Sequence, residues 1–215
     1  MRENTEKIAP PRALWVPFEL GRPFGAPDDP EFQLKVLRAA LDLLAAESGP
    51  VLADFPEDAP PAPSADGGEG WVCPVAFPPP PADPNDLGAA VQAEIGGLAP
   101  WYQESVRARG RTSVGAGDLD IEQAADYAAR FLESSPETGR EAVVRLKYAI
   151  EDLKAFYGEA ATARPGASSL DIADWMWNET ALGRLMRQLA AVLGEFGDAD
   201  LAYFAEKSLV PRKYR

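Results

Sequence analysis

Histidine is absent from the 215 residues, and cysteine occurs once, at Cys73. The first absence removes imidazole triads, imidazole zinc sites and the usual neutral-pH proton shuttle. Acid–base chemistry is left to Asp, Glu, Lys, Tyr or Cys73. The second removes any disulfide or dithiol centre built within the chain. Long apolar runs are missing too. Nothing approaches the roughly 20 residues of a membrane span, and Met1-Arg-Glu-Asn-Thr-Glu-Lys7 carries no apolar signal core, so a cytoplasmic chain is expected. Positive charge is scarce: 21 Lys and Arg stand against 34 Asp and Glu, for a formal net charge of −13. Nucleic acid and anionic membrane surfaces require a basic face that this excess opposes, and neither is expected as a partner. The cationic end, Pro211-Arg-Lys-Tyr-Arg215, reads as a solvated tail or a binding arm.

What is present suffices for a globular core, since 46% of the residues are hydrophobic and 26% charged. Residues 1–11 read as a flexible lead. Residues 12–55 then run strand, glycine turn, capped helix and strand without interruption. Ala13 to Phe18 is an apolar run of strand length. Asp28 or Asp29 before Pro30 is a helix start, and Gly49-Pro50 is a stop before the strand Val51 to Phe55. Leu34, Leu37, Leu41 and Leu44 recur at three and four, widened by Val36 and Ala40, which predicts a broad core-facing stripe. Gly21 and Gly25 bracket Arg22-Pro-Phe. That loop is either a substrate-facing segment with Arg22 as an anion anchor or a tight turn into the helix.

From residue 56 to 85, proline and glycine runs enclose one apolar island, Trp71-Val-Cys-Pro-Val-Ala-Phe77, and predict an irregular connection. The remainder, 86–215, reads as a helical bundle. Asp86 to Ile95 predicts a short helix closed by Gly96-Gly97, and Asp118 or Asp120 caps another. Ser135-Pro136 opens a helix that places Val143, Leu146, Ile150, Leu153 and Tyr157 on one face before Gly158. Ser168 or Ser169 opens one that continues through Leu182 to Phe196, and Asp198 begins a last short one.

Four features bear on chemistry. Cys73 would need a cation or helix N-terminus to become a nucleophile, and no sequence neighbour supplies one. Glu19 and Asp54 stand near the C-terminal ends of the two expected strands, the edge where open α/β sheets gather ligands, and read either as polar groups facing a site or as surface carboxylates. Trp175, Trp177 and Glu179 make an aromatic cluster that fills a core or docks a partner. Arg107, Arg109 and Arg111 crowd the glycine-containing segment to Gly117, a patch for an anion or a solvated loop. That segment matches neither a P-loop nor a dinucleotide fingerprint. No cofactor and no metal are expected.

The run Pro10-Pro-Arg-Ala-Leu-Trp-Val-Pro-Phe-Glu-Leu-Gly-Arg-Pro-Phe-Gly-Ala-Pro-Asp-Asp-Pro-Glu-Phe-Gln33, continuing into the leucine-rich helix, resembles the substrate-binding B component of glycine, sarcosine and betaine reductases and the related proline reductase. The most specific part is Leu20-Gly-Arg-Pro-Phe-Gly25, and the resemblance covers about residues 10–55. It implies reductive cleavage of a carbon–heteroatom bond by a selenocysteine or cysteine followed by a threonine, Cys/Sec-x-x-Thr. That motif belongs upstream of this segment; the eleven residues before Arg12 hold no cysteine, and Cys73 is followed by Pro-Val-Ala. The resulting expectation is an α/β N-terminal unit with a partial Rossmann-like sheet, followed by a mainly α-helical half. The chain would be a non-redox subunit that helps bind a small substrate through Glu19, Gly21, Arg22, Gly25 and Asp54. A second chain would carry Cys/Sec-x-x-Thr. The alternative is a structural or regulatory protein that docks a partner through Trp175, Trp177 and the proline-rich segment.

Overall fold

The computed structural model describes residues 2–18, 22–60, 86–133, 137–163 and 168–215. Glu19, Gly21, Cys73 with its apolar island, and Ser135-Pro136 lie outside the described residues. The fold is mainly helical, with a small two-stranded parallel sheet near the N-terminus. The chain divides into two compact units, Met1–Ser64 and Ala65–Arg215.

In the first unit, the residues read as a frayed lead form helix α1, Arg2–Ile8, which buries no residue. Strand β1, Arg12–Trp15, pairs in parallel with β2, Val51–Asp54, in the register Arg12 to Val51 through Trp15 to Asp54. Helix α2, Pro30–Asp42, makes the crossover. Asp29 caps it by accepting from Phe32 N–H at 3.1 Å, with Pro30 in the first turn. Gly25 lies at φ +85°, and a Cβ there would sit 2.8 Å from the Phe32 ring. Its close approach is therefore to this chain's own helix. Phe18, Phe32 and Phe55 pack edge-on or tilted with centroids 5.4 to 6.1 Å apart, and with Val36 they form the unit's core.

The second unit is a helical bundle around one continuous core. Helix α3, Leu87–Arg109, does not stop at Gly96-Gly97 but runs on through Pro100 to a left-handed cap at Gly110. Two glycines and a proline weaken a helix by several kcal/mol, roughly 1 for each glycine and 3 for proline. Burial of Val91, Ile95 and Leu98 on one stripe overrides that cost. Helix α4, Ile121–Glu133, starts at Asp120, whose carboxylate accepts from Gln123 N–H at 2.8 Å while Gln123 returns a bond to Asp120 N–H. Helix α5, Arg140–Thr162, begins at Gly139, later than the expected Ser135-Pro136 start. It also continues past Gly158, because Ala160 and Ala161 still face the core.

The single helix expected from Ser168 to Phe196 is two. Helix α6, Ser169–Asn178, opens with a capping box between Ser168 and Asp171. Helix α7, Ala181–Glu195, restarts at Thr180, whose hydroxyl accepts from Gly183 N–H and donates to Met176 O. The two helices meet so closely that a Cβ on Gly183 would lie 2.4 Å from Met176 O. Helix α8, Ala199–Phe204, continues into a π-helical turn, Ala205–Leu209. Asp198 serves both ends of this region, capping α8 and accepting from Gly139 N–H at 3.0 Å.

Candidate functional site

In the first unit the expected site residues have partners of their own. Asp54, at the end of β2, is held in a two-pronged pair by Arg2 of α1, at 2.9 and 3.2 Å. The Asp54 carboxylate, about half exposed, is thus engaged by a guanidinium of its own unit. Arg22 is half-buried, and its carbonyl accepts from Gly25 N–H at 3.0 Å, so the segment between them is a tight turn. Gln33 secures the same turn by donating to Ala26 O at 2.7 Å.

The larger departure is α2. Its core face consists of Phe32 and Val36 with Ala39 behind them. Leu34, Leu37 and Leu41 lie roughly 150° around the helix from that face at 3.6 residues per turn, and Leu44 follows in the 3-10 turn Leu43–Ala45 just past the helix end. They are 48%, 41%, 53% and 70% exposed, and Phe24 and Ile8 are exposed in the same unit. The core-facing stripe predicted from their spacing is an outward stripe, because two strands offer only enough surface to cover one side of the helix. Among the described residues β1 and β2 pair only with each other. Each therefore keeps an outer edge of main-chain N–H and C=O groups without a strand neighbour.

In the second unit the arginine-rich loop is filled from within. Asp152 of α5, 1% exposed, accepts from the N–H groups of Gly115, Ala116 and Gly117 at 2.9 to 3.0 Å. Glu159, one heptad later on the same face, accepts from Ser113 N–H at 2.7 Å and Thr112 Oγ1 at 2.9 Å, and pairs with Arg109 at 3.3 Å. Arg107 pairs with Glu104, while Arg111 is exposed. The loop is an anion nest whose anions are the chain's own carboxylates.

A third acid is buried at the centre of the bundle. Glu94 of α3 accepts from Tyr157 Oη at 2.9 Å, Ala181 N–H at 2.6 Å and Leu182 N–H at 3.4 Å, and so closes the N-terminus of α7. Burial pushes the Glu94 carboxyl above its ordinary value, against the lowering pull of these donors. The same burial, with the charge of Glu94 beside it, pushes the Tyr157 hydroxyl well up. These three acids escaped the sequence reading. Glu94 lies in the stripe Val91, Glu94, Ile95, Leu98, and Asp152 and Glu159 share one heptad face, so an acid inside an apolar stripe was the signal.

Trp175 and Trp177, offered as docking residues, are 2% and 3% exposed. Trp175 packs 6.2 Å from Tyr157, and Trp177 stacks on Tyr214 at 5.6 Å and 15°. Both rings are core, and Glu179 beside them is the exposed C-cap of α6. The cationic end is exposed along most of its length but is tied back to α6, since Tyr214 Oη donates to Asp174 at 2.5 Å and Lys213 Nζ donates to the same carboxylate at 2.7 Å. Among the described residues no group of three or more Cys, Asp or Glu side chains is placed to hold a metal, and no helix is long and apolar enough to cross a membrane. No family model, no curated protein and no solved structure matches the chain.

Proposed function

We propose that this chain is a non-redox subunit of a reductase-like complex, and that its N-terminal unit is completed by the subunit that carries the reactive Cys/Sec-x-x-Thr. The observation that carries the reading is the open state of that unit. Among the described residues, a parallel sheet of two four-residue strands with one helix apolar on opposite faces is less than parallel strands ordinarily need to stand alone. Parallel strands ordinarily sit inside larger sheets covered on both sides. A partner strand beside β1 or β2 would extend the pair into a Rossmann-like sheet, and a partner surface over Leu34, Leu37, Leu41 and Leu44 would cover the outer face of α2. The resemblance of residues 10–55 to the B component of glycine and betaine reductases supplies the identity of the partner. Arg22, which follows β1, is the cation nearest to a shared substrate pocket in this reading, with Glu19 and Gly21 its sequence neighbours in the same proposal. Asp54 joins that pocket only if Arg2 releases it.

The test is affinity capture of the full chain from its native source, with mass spectrometry and light scattering on the product. A stoichiometric partner bearing a Cys- or Sec-x-x-Thr motif is expected. Its loss is expected with Leu37→Asp plus Leu41→Asp at unchanged helicity. A partner without such a motif, held through the same leucines, converts the reading into a non-catalytic docking module. A monomer indifferent to the leucine substitutions overturns both.

A further inference from the structure

We propose that a groove in the helical unit, between α7 and the folded-back end of the chain, binds a small organic carboxylate with a short aliphatic or flat body. Arg187 and Ala190 of α7 form one wall. Ala205, Val210 and Arg215 form the other, and together they enclose about 320 Å³. That volume stands at the small end of the range for ligand pockets.

The floor is made of small apolar side chains, and the ends are two guanidiniums. Arg187 donates from Nη1 to Trp177 O. Arg215 donates from Nε to Val210 O at 2.9 Å and from Nη2 to Glu206 O. Main-chain carbonyls orient a guanidinium without neutralising it, and each group has further N–H donors beyond those used here. Among the described residues neither arginine forms an ion pair. Arg107, Arg109 and Arg145 of this unit pair with Glu104, Glu159 and Asp118, while Arg130 lines a separate groove that also contains Asp86 and Asp126. Glu206 is exposed and paired with Lys207, and the Arg215 charge also helps to hold its carboxyl below the ordinary value. Two guanidiniums, neither in a direct ion pair among the described residues, thus line one groove in a chain of net charge −13.

The placement of Arg215 is built. Tyr214 stacks on Trp177, Tyr214 Oη and Lys213 Nζ both hold Asp174, and this clamp brings the last arginine across from Arg187. The π-helical turn at Ala205–Leu209 forms part of the second wall and leaves Glu206 O for Arg215. Such turns inside helices recur at functional sites. Planar guanidiniums suit a planar carboxylate, which they hold through paired N–H···O bonds. An apolar floor favours an anion with a hydrocarbon body over hydrated phosphate.

The experiment is titration of the full chain with butyrate, benzoate and, at matched ionic strength, inorganic phosphate, followed by amide chemical shifts. Saturable shifts at Ala190, Ala205 and Val210 with the two carboxylates are expected, with phosphate at least tenfold weaker. Arg187→Gln or Arg215→Gln should each raise the dissociation constant tenfold or more. Ala190→Leu should abolish binding by filling the floor while both cations remain. Lys147→Gln, a surface charge change on α5, should alter nothing. Circular dichroism melts confirm that each variant is folded. Absence of saturable shifts, equal response to phosphate, or unchanged affinity in folded Arg187→Gln and Ala190→Leu chains overturns the proposal.

Discussion

The two units differ in what they can finish alone. The helical unit encloses Leu98, Leu146, Leu153, Leu182 and Leu185 completely, whereas among the described residues the N-terminal unit brings Phe32, Val36 and Phe55 into a common buried core and leaves Leu34, Leu37 and Leu41 of α2 and Leu44 of the turn after it exposed. Both are built from leucine-rich segments. A helix satisfies its own backbone hydrogen bonds, so a bundle closes once its apolar stripes meet. A strand depends on neighbours, and two strands leave edges open and cover one face of one helix. Leucine content therefore does not measure completion; the number of elements available to cover it does.

The sharpest way to break the comparison is one substitution made in both places. Leu185→Ala in the bundle, fully buried, should cost about 3 kcal/mol through lost transfer and a cavity. Leu37→Ala, on the outward stripe, should change the stability of the isolated chain by less than about 0.5 kcal/mol. Denaturant titration of both variants decides it. A large loss for Leu37→Ala would mean that the stripe is already covered.

A smaller effect separates the ways in which the units use their acids. Glu94 has a folded-state carboxyl raised above its unfolded value of 4.5 by burial. Its contribution to stability is therefore fully present below about pH 4.5 and is lost as pH rises through the higher folded value. Glu94→Gln should lack that descending limb, so variant-minus-parent stability, measured by urea melts across pH 4 to 8, should rise with pH. A difference that instead falls over that range would show that the hydrogen bonds outweigh desolvation. The smallest effect belongs to Asp54. Its pair with Arg2 is solvent-exposed, and Asp54→Asn should leave the unfolding midpoint unchanged in low and high salt. A salt-dependent drop would make α1 a structural clamp on the sheet.

Much of the local structure was legible because its causes are local. The cap at Asp29-Pro30, the Asp120 start, the Ser168 box and the Asp198 start are contacts within one turn of the chain, and each is where the residue types put it. The misjudged boundaries involve competition with packing. Gly96-Gly97 and Pro100 weaken a helix that the core retains, and Thr180 stops one that periodicity alone would continue. The candidate sites were less legible. Trp175 and Trp177 fit a core and an interface equally well as residue types, and only the packing of Tyr157 and Tyr214 against them decides for the core. Glu94, Asp152 and Glu159 acquire meaning from donors 87, 37 and 46 residues away along the chain.

The sequence by itself determined which chemistries are absent, where most helices begin, and that a strand–helix–strand unit precedes a helical one. These follow from residue inventory and from hydrogen bonds and periodicities a few residues long. Tertiary structure alone decided which apolar stripe is inside, which carboxylates are buried, and that a basic end folds back to set Arg215 across from Arg187. Burial and charge pairing are properties of what lies opposite a side chain in space, and a residue's sequence neighbours do not specify it.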